Sequence, residues 1–195
     1  MTSPVPGRRE RKKAATRQSI ADAALTLFLE RGYDQVSVRD VGEAADVSTT
    51  TLFKHFSGKE ALVFDRDSDR ESELVSAVHD RSEGEGILDA LRRHALEAHV
   101  AIGNHPQAAE FAALVASTPA LRDYSERMWT RHAESLGAAI AREVSAPTDD
   151  LACAALARYF LDIPALVRGR PDPRAAIETI FNLLSTGWRP PSREH

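Results

Sequence analysis

The sequence predicts an all-α protein of about nine helices, and three observations predict it. Apolar residues recur at three- and four-residue spacing along nearly the whole chain, and period-two alternation is almost absent. Gly, Pro and capping residues cut the periodic runs into helix-length segments. The 195 residues, 43% hydrophobic and 28% charged, have the composition of an ordinary globular protein, which argues against disorder and fibrous repeats.

The first helix spans about 12–31, where Ile20, Ala24, Leu27 and Phe28 form one apolar stripe and Gly32 supplies the stop. Ser37, with Asp40 three residues on, opens a short helix to about 45. After the turn Asp46-Val47-Ser48, Ser48 caps a second short helix through about 55 or 56. Ser57 and Glu60 form a capping-box pattern that opens a longer helix toward 81. Gly84 and Gly86 precede a helix over about 87–102 that Gly103 closes. Asn104 or His105 with Pro106, Thr118 with Pro119, and Asp172 with Pro173 each place a cap before a proline at the first helical position. Pro147-Thr148 starts a further helix, in which Pro164 is expected to kink or break the last turn.

Charge is divided unevenly. Residues 1–60 hold ten Lys/Arg and eight Asp/Glu; the remainder holds fifteen and twenty-one. The first twenty residues carry six bases and one acid, a composition suited to phosphate contacts, and 1–14 reads as a basic flexible arm. An acidic remainder confines any contact with a polyanion to the N-terminal end. A lone Cys153 excludes an internal disulfide, and no apolar run approaches the roughly 18 residues of a membrane span. The N-terminus lacks the apolar core of a secretory signal, so the chain is expected in the cytoplasm and off the membrane.

Two short helices on either side of a three-residue turn are too short to stand alone and need a third helix as support. Val38, Val41 and Ala45 would face inward from one, Val47, Leu52 and Phe56 from the other. Thr49, Thr50, Thr51, Phe53, Lys54 and His55 remain outward. A recognition helix needs small polar groups at its N-terminal end, where base edges are met in the major groove. Threonine hydroxyls donate or accept there, and threonine methyls meet the thymine methyl. Lys54, His55 and Lys59 suit phosphates, and Arg39 and Ser48 complete the candidate DNA-binding set. Capped, solvated surface is the competing reading of the three threonines.

The runs IADAALTLFLERGYDQVSVRDV and AADVSTTTLFKHFSGKEAL carry a resemblance that covers residues 20–62. This stretch resembles the DNA-binding domain of TetR-family transcriptional regulators. The resemblance implies groove contacts from Thr49, Thr50 and Thr51, with Phe53, His55 and Lys59 at the DNA backbone. It also implies a helix-turn-helix domain over 15–60 and a helical ligand-binding and dimerisation domain over 61–195. Three positions depart from the family pattern. Gly42 replaces alanine, expected to cost the first short helix roughly 1 kcal/mol; Asp46 replaces a turn glycine; Phe53 replaces a tyrosine and lacks its hydroxyl.

The family architecture implies a homodimer on a palindromic operator, released by a small organic effector. Leu151, Ala155, Tyr159 and Ile163, and then Ile177, Ile180, Phe181, Leu184 and Trp188, form two stripes able to build an intersubunit bundle, although each stripe also fits an internal core. Phe111, Leu114, Met128, Trp129 and His132 are candidate pocket residues, and ordinary core packing explains them equally.

Other functions find less support. No P-loop, GxGxxG, GxSxG or HExxH pattern is present, so no enzyme, cofactor or metal is expected. His94 and His99 are five residues apart and fall on different helix faces. Asp65, Asp67, Asp69 and Glu71 read as an acidic helix surface. A non-specific DNA-coating protein conflicts with the acidic bulk. An activator or corepressor-dependent regulator of the same fold remains the alternative to a repressor.

Overall fold

The computed structural model describes residues 7–103 and 106–187. Among these residues there are ten α-helices and no strand. They run α1 (Arg8–Arg31), α2 (Val38–Ala44), α3 (Thr49–Phe53), α4 (Lys59–Val63), α5 (Asp67–His79), α6 (Ile87–Gly103), α7 (Ala108–Ser117), α8 (Pro119–Glu143), α9 (Leu151–Val167) and α10 (Pro173–Thr186). No described helix is long and apolar enough to cross a membrane.

The chain divides into two compact units, one of residues up to Ser68 with Ala109–Glu126, the other of Asp69–Ala108 with Arg127 onward. The expected boundary at 60 therefore moves to 68, and a later segment joins the first unit. The expected arm over 1–14 is also revised. Residues 1–6 lie outside the described residues, but α1 begins at Arg8, where the Glu10 carboxylate accepts the Gly7 N–H at 3.0 Å. That acid in the first turn satisfies an otherwise orphaned donor and favours helix in a basic stretch.

In the first unit α1 packs against α2 and α4, and α2 against α3. Ile20, Ala24, Phe28, Val41 and Leu52 are fully buried, with Leu62 and Phe56 nearly so. Burying each large side chain contributes about 1.5–3 kcal/mol, which supplies the stability that helices of five to seven residues lack by themselves.

The helix expected to run unbroken from Ser57 is two helices. Gly58, not Ser57, stands at the N-cap of α4, with no side-chain cap. Phe64 then leaves helical geometry at φ −104° and ψ 50°. Its buried ring stacks on Tyr124 at 5.2 Å and meets Phe111 edge-on at 6.0 Å. Packing onto the 109–126 segment thus overrides local propensity, and α5 starts afresh at Asp67.

In the second unit α6 packs on α9 and α10, and α9 on α10. The core includes Leu91, Leu136, Ile140, Ala157, Phe160, Ile163, Ile177 and Phe181. Gly137 has a role the sequence did not suggest: a Cβ there would lie 3.4 Å from the Ala154 Cα, so the glycine lets α8 and α9 approach closely. Helix starts at Pro119 and Pro173 agree with expectation, the latter capped by Asp172, whose carboxylate accepts the Ala175 N–H at 2.9 Å. Two others differ. Helix α9 begins after Asp150, which accepts the Cys153 N–H at 2.9 Å, rather than at Pro147. Helix α7 begins at Ala108, two residues beyond Pro106. Pro164 does not end α9, which continues to Val167.

Candidate nucleic-acid interface

The first unit presents α2, a turn and α3 as a helix-turn-helix. The Ser37 hydroxyl accepts the Asp40 N–H at 3.2 Å, while the Asp40 carboxylate accepts the Ser37 N–H at 2.7 Å. The Ser37 hydroxyl, which also lies 2.7 Å from the Asp40 carboxylate, and then the Ser37 N–H hold the Asp40 carboxyl below the usual carboxylate range. Asp46 takes the left-handed conformation at φ 53°, as the sequence requires of a turn without glycine.

Gly42 reverses an expectation. Its carbonyl accepts the Val47 N–H at 2.9 Å, and a Cβ at position 42 would lie 2.9 Å from the Val47 carbonyl oxygen. Glycine here admits the turn against α2, an advantage that sets against its poor helix propensity.

Helix α3 starts at a capped N-terminus: the Ser48 hydroxyl accepts the Thr51 N–H at 3.1 Å and lies 2.9 Å from the Thr51 hydroxyl. Thr51 is therefore half-buried and engaged in the cap. Ser48, Thr49, Thr50, Phe53 and Lys54 are exposed, Phe53 at 55%. Arg39 is also exposed and pairs with Glu43 on its own helix at 2.9 Å.

Two residues expected at the DNA backbone are turned inward. The Lys59 ammonium donates to the Tyr33 carbonyl at 2.5 Å and sits 4.0 Å from the centroid of the Tyr33 ring. Burial, above all, lowers the Lys59 pKa, against the pull of Asp34, Glu60 and Asp40. Burial raises that of Tyr33, with Glu60 adding to it. His55 is half-buried, and its Nδ1 atom is buried with no hydrogen-bond partner. Burial first, then the Lys13 and Arg17 cations, push its imidazole below the ordinary histidine value.

Sequence reasoning missed Arg17. Its guanidinium donates to the His55 carbonyl and, at 2.6 Å, to the Asp65 carbonyl, and lies 4.2 Å from the Phe56 ring centroid. The one available signal was a cation on the half-buried edge of the α1 stripe.

The other candidates fall in different units. Phe111 and Leu114 lie in the first unit, where Phe111 packs on Phe64 and Leu114 is buried. Met128, Trp129 and His132 lie in the second, with Met128 and His132 buried and Trp129 edge-on to His132 at 5.4 Å. A recess of about 470 Å³ in that unit is lined by Leu88, Asp89, Arg92, Glu178, Asn182 and neighbours, and by none of these five.

The two apolar stripes separate by exposure. Leu151, Ala155 and Tyr159 are exposed, Leu151 at 81% and Tyr159 at 55%. Ile163, Ile177 and Phe181 are buried in the subunit's own core and have no surface to offer a partner; Ile180 and Leu184 pack partly against that core. Trp188 lies outside the described residues.

The sequence profile described as "Bacterial regulatory proteins, tetR family" matches residues 20–65. The HTH-type transcriptional regulator TcmR of Streptomyces glaucescens is 36% identical over 86 residues, 44% of this chain and 38% of that protein. The HTH-type transcriptional repressor KstR2 of Rhodococcus jostii is 38% identical over 61 residues, 31% of this chain and 30% of that protein. The matches thus span well under half the length of either relative. Across whole chains, the structure of a TetR-family regulator from Streptomyces coelicolor superposes with a TM-score of 0.60 at 19% identity, covering 94% of this chain and 97% of that one.

Proposed function

We propose, from the match of residues 20–65 to the tetR family of bacterial regulatory proteins, that this chain is a tetR-family regulator: a ligand-responsive, sequence-specific repressor acting as a homodimer on a palindromic operator. The observation that carries the reading is α3 itself. From a capped N-terminus, Thr49, Thr50, Phe53 and Lys54 stand exposed on a helix fixed from behind by Leu52 and Phe56. Thr49 and Thr50 enter the major groove, where their hydroxyls and methyls meet base edges. Lys54 and Arg39 approach phosphates, and Phe53 offers an apolar ring where no phenolic hydroxyl is available.

One such helix reads few bases, so specificity calls for two half-sites about 34 to 36 Å apart or farther, related by the dimer two-fold. The exposed face of α9, with Leu151, Tyr159 and Leu166, supports dimerisation there. Repression is favoured by the likeness to KstR2, which is a transcriptional repressor. An apolar effector of moderate size that prefers one of two conformers would weaken operator binding roughly 5- to 150-fold. Activation from the same operator is the second reading, since operator position sets the regulatory sign.

Selection of bound sequences from random DNA, followed by titration at fixed salt, tests the proposal. An enriched inverted repeat whose preference falls in Thr50→Ala is the expected result. Binding without sequence preference, or a chain monomeric at micromolar concentration, overturns it.

A further inference from the structure

Resting on the regulator reading, we propose that Arg17 is a positioning residue that sets the pose of the recognition helix, so that operator discrimination depends on it although it makes no contact with DNA. Its guanidinium forks between two backbone carbonyls that are both far from it in sequence. One belongs to His55, just past α3; the other belongs to Asp65, in the turn after α4, at 2.6 Å. The Phe56 ring lies beneath it at 4.2 Å from the centroid.

Helix α3 is five residues long; the turn N–H groups of Lys54, His55 and Phe56 already answer its Thr51 and Leu52 carbonyls, and Arg17 takes the next carbonyl along, that of His55. A planar cation with two N–H groups aimed at two carbonyls supplies charge-assisted bonds and fixes their separation at once. The second tie ends beside Phe64, which Tyr124 and Phe111 hold in place. The end of α3 is therefore referenced to α1 and to the aromatic corner of the first unit rather than left to its own short ladder. A recognition helix allowed to rock would still meet phosphates through flexible side chains, but it would lose the alignment that base edges demand.

The test uses the full-length chain with Arg17→Gln and Arg17→Lys, each checked for wild-type helicity and melted so that binding is measured well below the transition. Affinity for the selected operator and for random duplex is measured across a salt series. Both variants are expected to lose roughly tenfold in operator preference, about the effect of one mismatched base pair. The salt slope should stay unchanged, because no phosphate contact is lost. Lysine keeps the charge but not the fork, so it should fail to rescue.

A slope reduced by about 0.9 in Arg17→Gln and restored in Arg17→Lys identifies a phosphate contact and overturns the inference. Unchanged preference in the folded variants overturns it too, as does failure of both variants to fold, which makes the role purely structural. Absence of any preference in the wild type removes the regulator reading itself, a result distinguishable from all of these.

Discussion

The two units keep their shape by different means. In the first, helices of seven, five and five residues share a small buried core and are further held by polar ties to the backbone: Ser37 with Asp40, Ser48 with Thr51, Arg17 to two carbonyls and Lys59 to a third. In the second, α6, α9 and α10 of 17, 17 and 14 residues stack around a continuous apolar core. Ion pairs such as Arg92–Glu178 at 3.4 Å lie on its surface, where they contribute about 0–1 kcal/mol. A short helix placed by discrete bonds keeps its outer side chains free for another molecule. A long helix placed by burial does not.

The largest effect that sharpens this contrast is in the second unit. Phe181→Ala removes a ring packed against Phe160 and should cost about 3–5 kcal/mol in denaturant unfolding. Leu151→Ala, at an 81% exposed site, should leave the stability of the isolated subunit within about 0.5 kcal/mol. A comparable loss from Leu151→Ala under conditions that hold the chain monomeric would break the comparison.

In the first unit a single cap should matter on its own scale. Ser48→Ala removes the acceptor for the Thr51 N–H and should cost about 1 kcal/mol by thermal melting. Under the proposed function, operator affinity is expected to fall further than stability does, because α3 would fray where it meets base edges.

The turn offers a smaller and signed test. Gly42→Ala gains roughly 1 kcal/mol of helix propensity, yet its Cβ would press to 2.9 Å from a backbone carbonyl that cannot rotate aside. The melting temperature is expected to fall; a rise would mean that the turn opens freely. Asp46→Gly, at φ 53°, should instead raise it by relieving the left-handed strain.

The smallest effect is on pH dependence. Because the folded pKa of His55 is below its ordinary 6.5, the unfolded chain binds its proton first on acidification. Its contribution is present above 6.5 and is lost as pH falls toward the folded value. His55→Gln should therefore flatten the acid side of the stability profile below about pH 6.5. His94, whose burial also lowers its pKa, bends the wild-type curve the same way and should persist in that variant.

What was legible in the sequence follows the same division. Caps announce themselves by residue type and spacing, so Ser37, Ser48 and Asp172 are readable from the order of residues alone, as is the stripe of Ile20, Ala24 and Phe28. The direction in which a long cation points is not readable: Lys59 looks like a phosphate ligand until Tyr33 is beside it, and Arg17 gives no sign of its two carbonyls. Nor does periodicity say which of two apolar faces is inside. Tyr159 and Ile163 share a stripe four residues apart, yet one is 55% exposed and the other 3%.

The first unit is discontinuous along the chain, and that has a consequence during synthesis. Phe64 leaves the ribosome about 60 residues before Tyr124, the ring on which it stacks. At about 5–20 residues per second, the helix-turn-helix would wait roughly 3–12 s with that corner unfilled. A nascent chain that has emerged from the ribosome to a point between 68 and 109 therefore carries a complete α1–α4 bundle with one aromatic face bare, and this is the stage at which a chaperone would find a surface to hold.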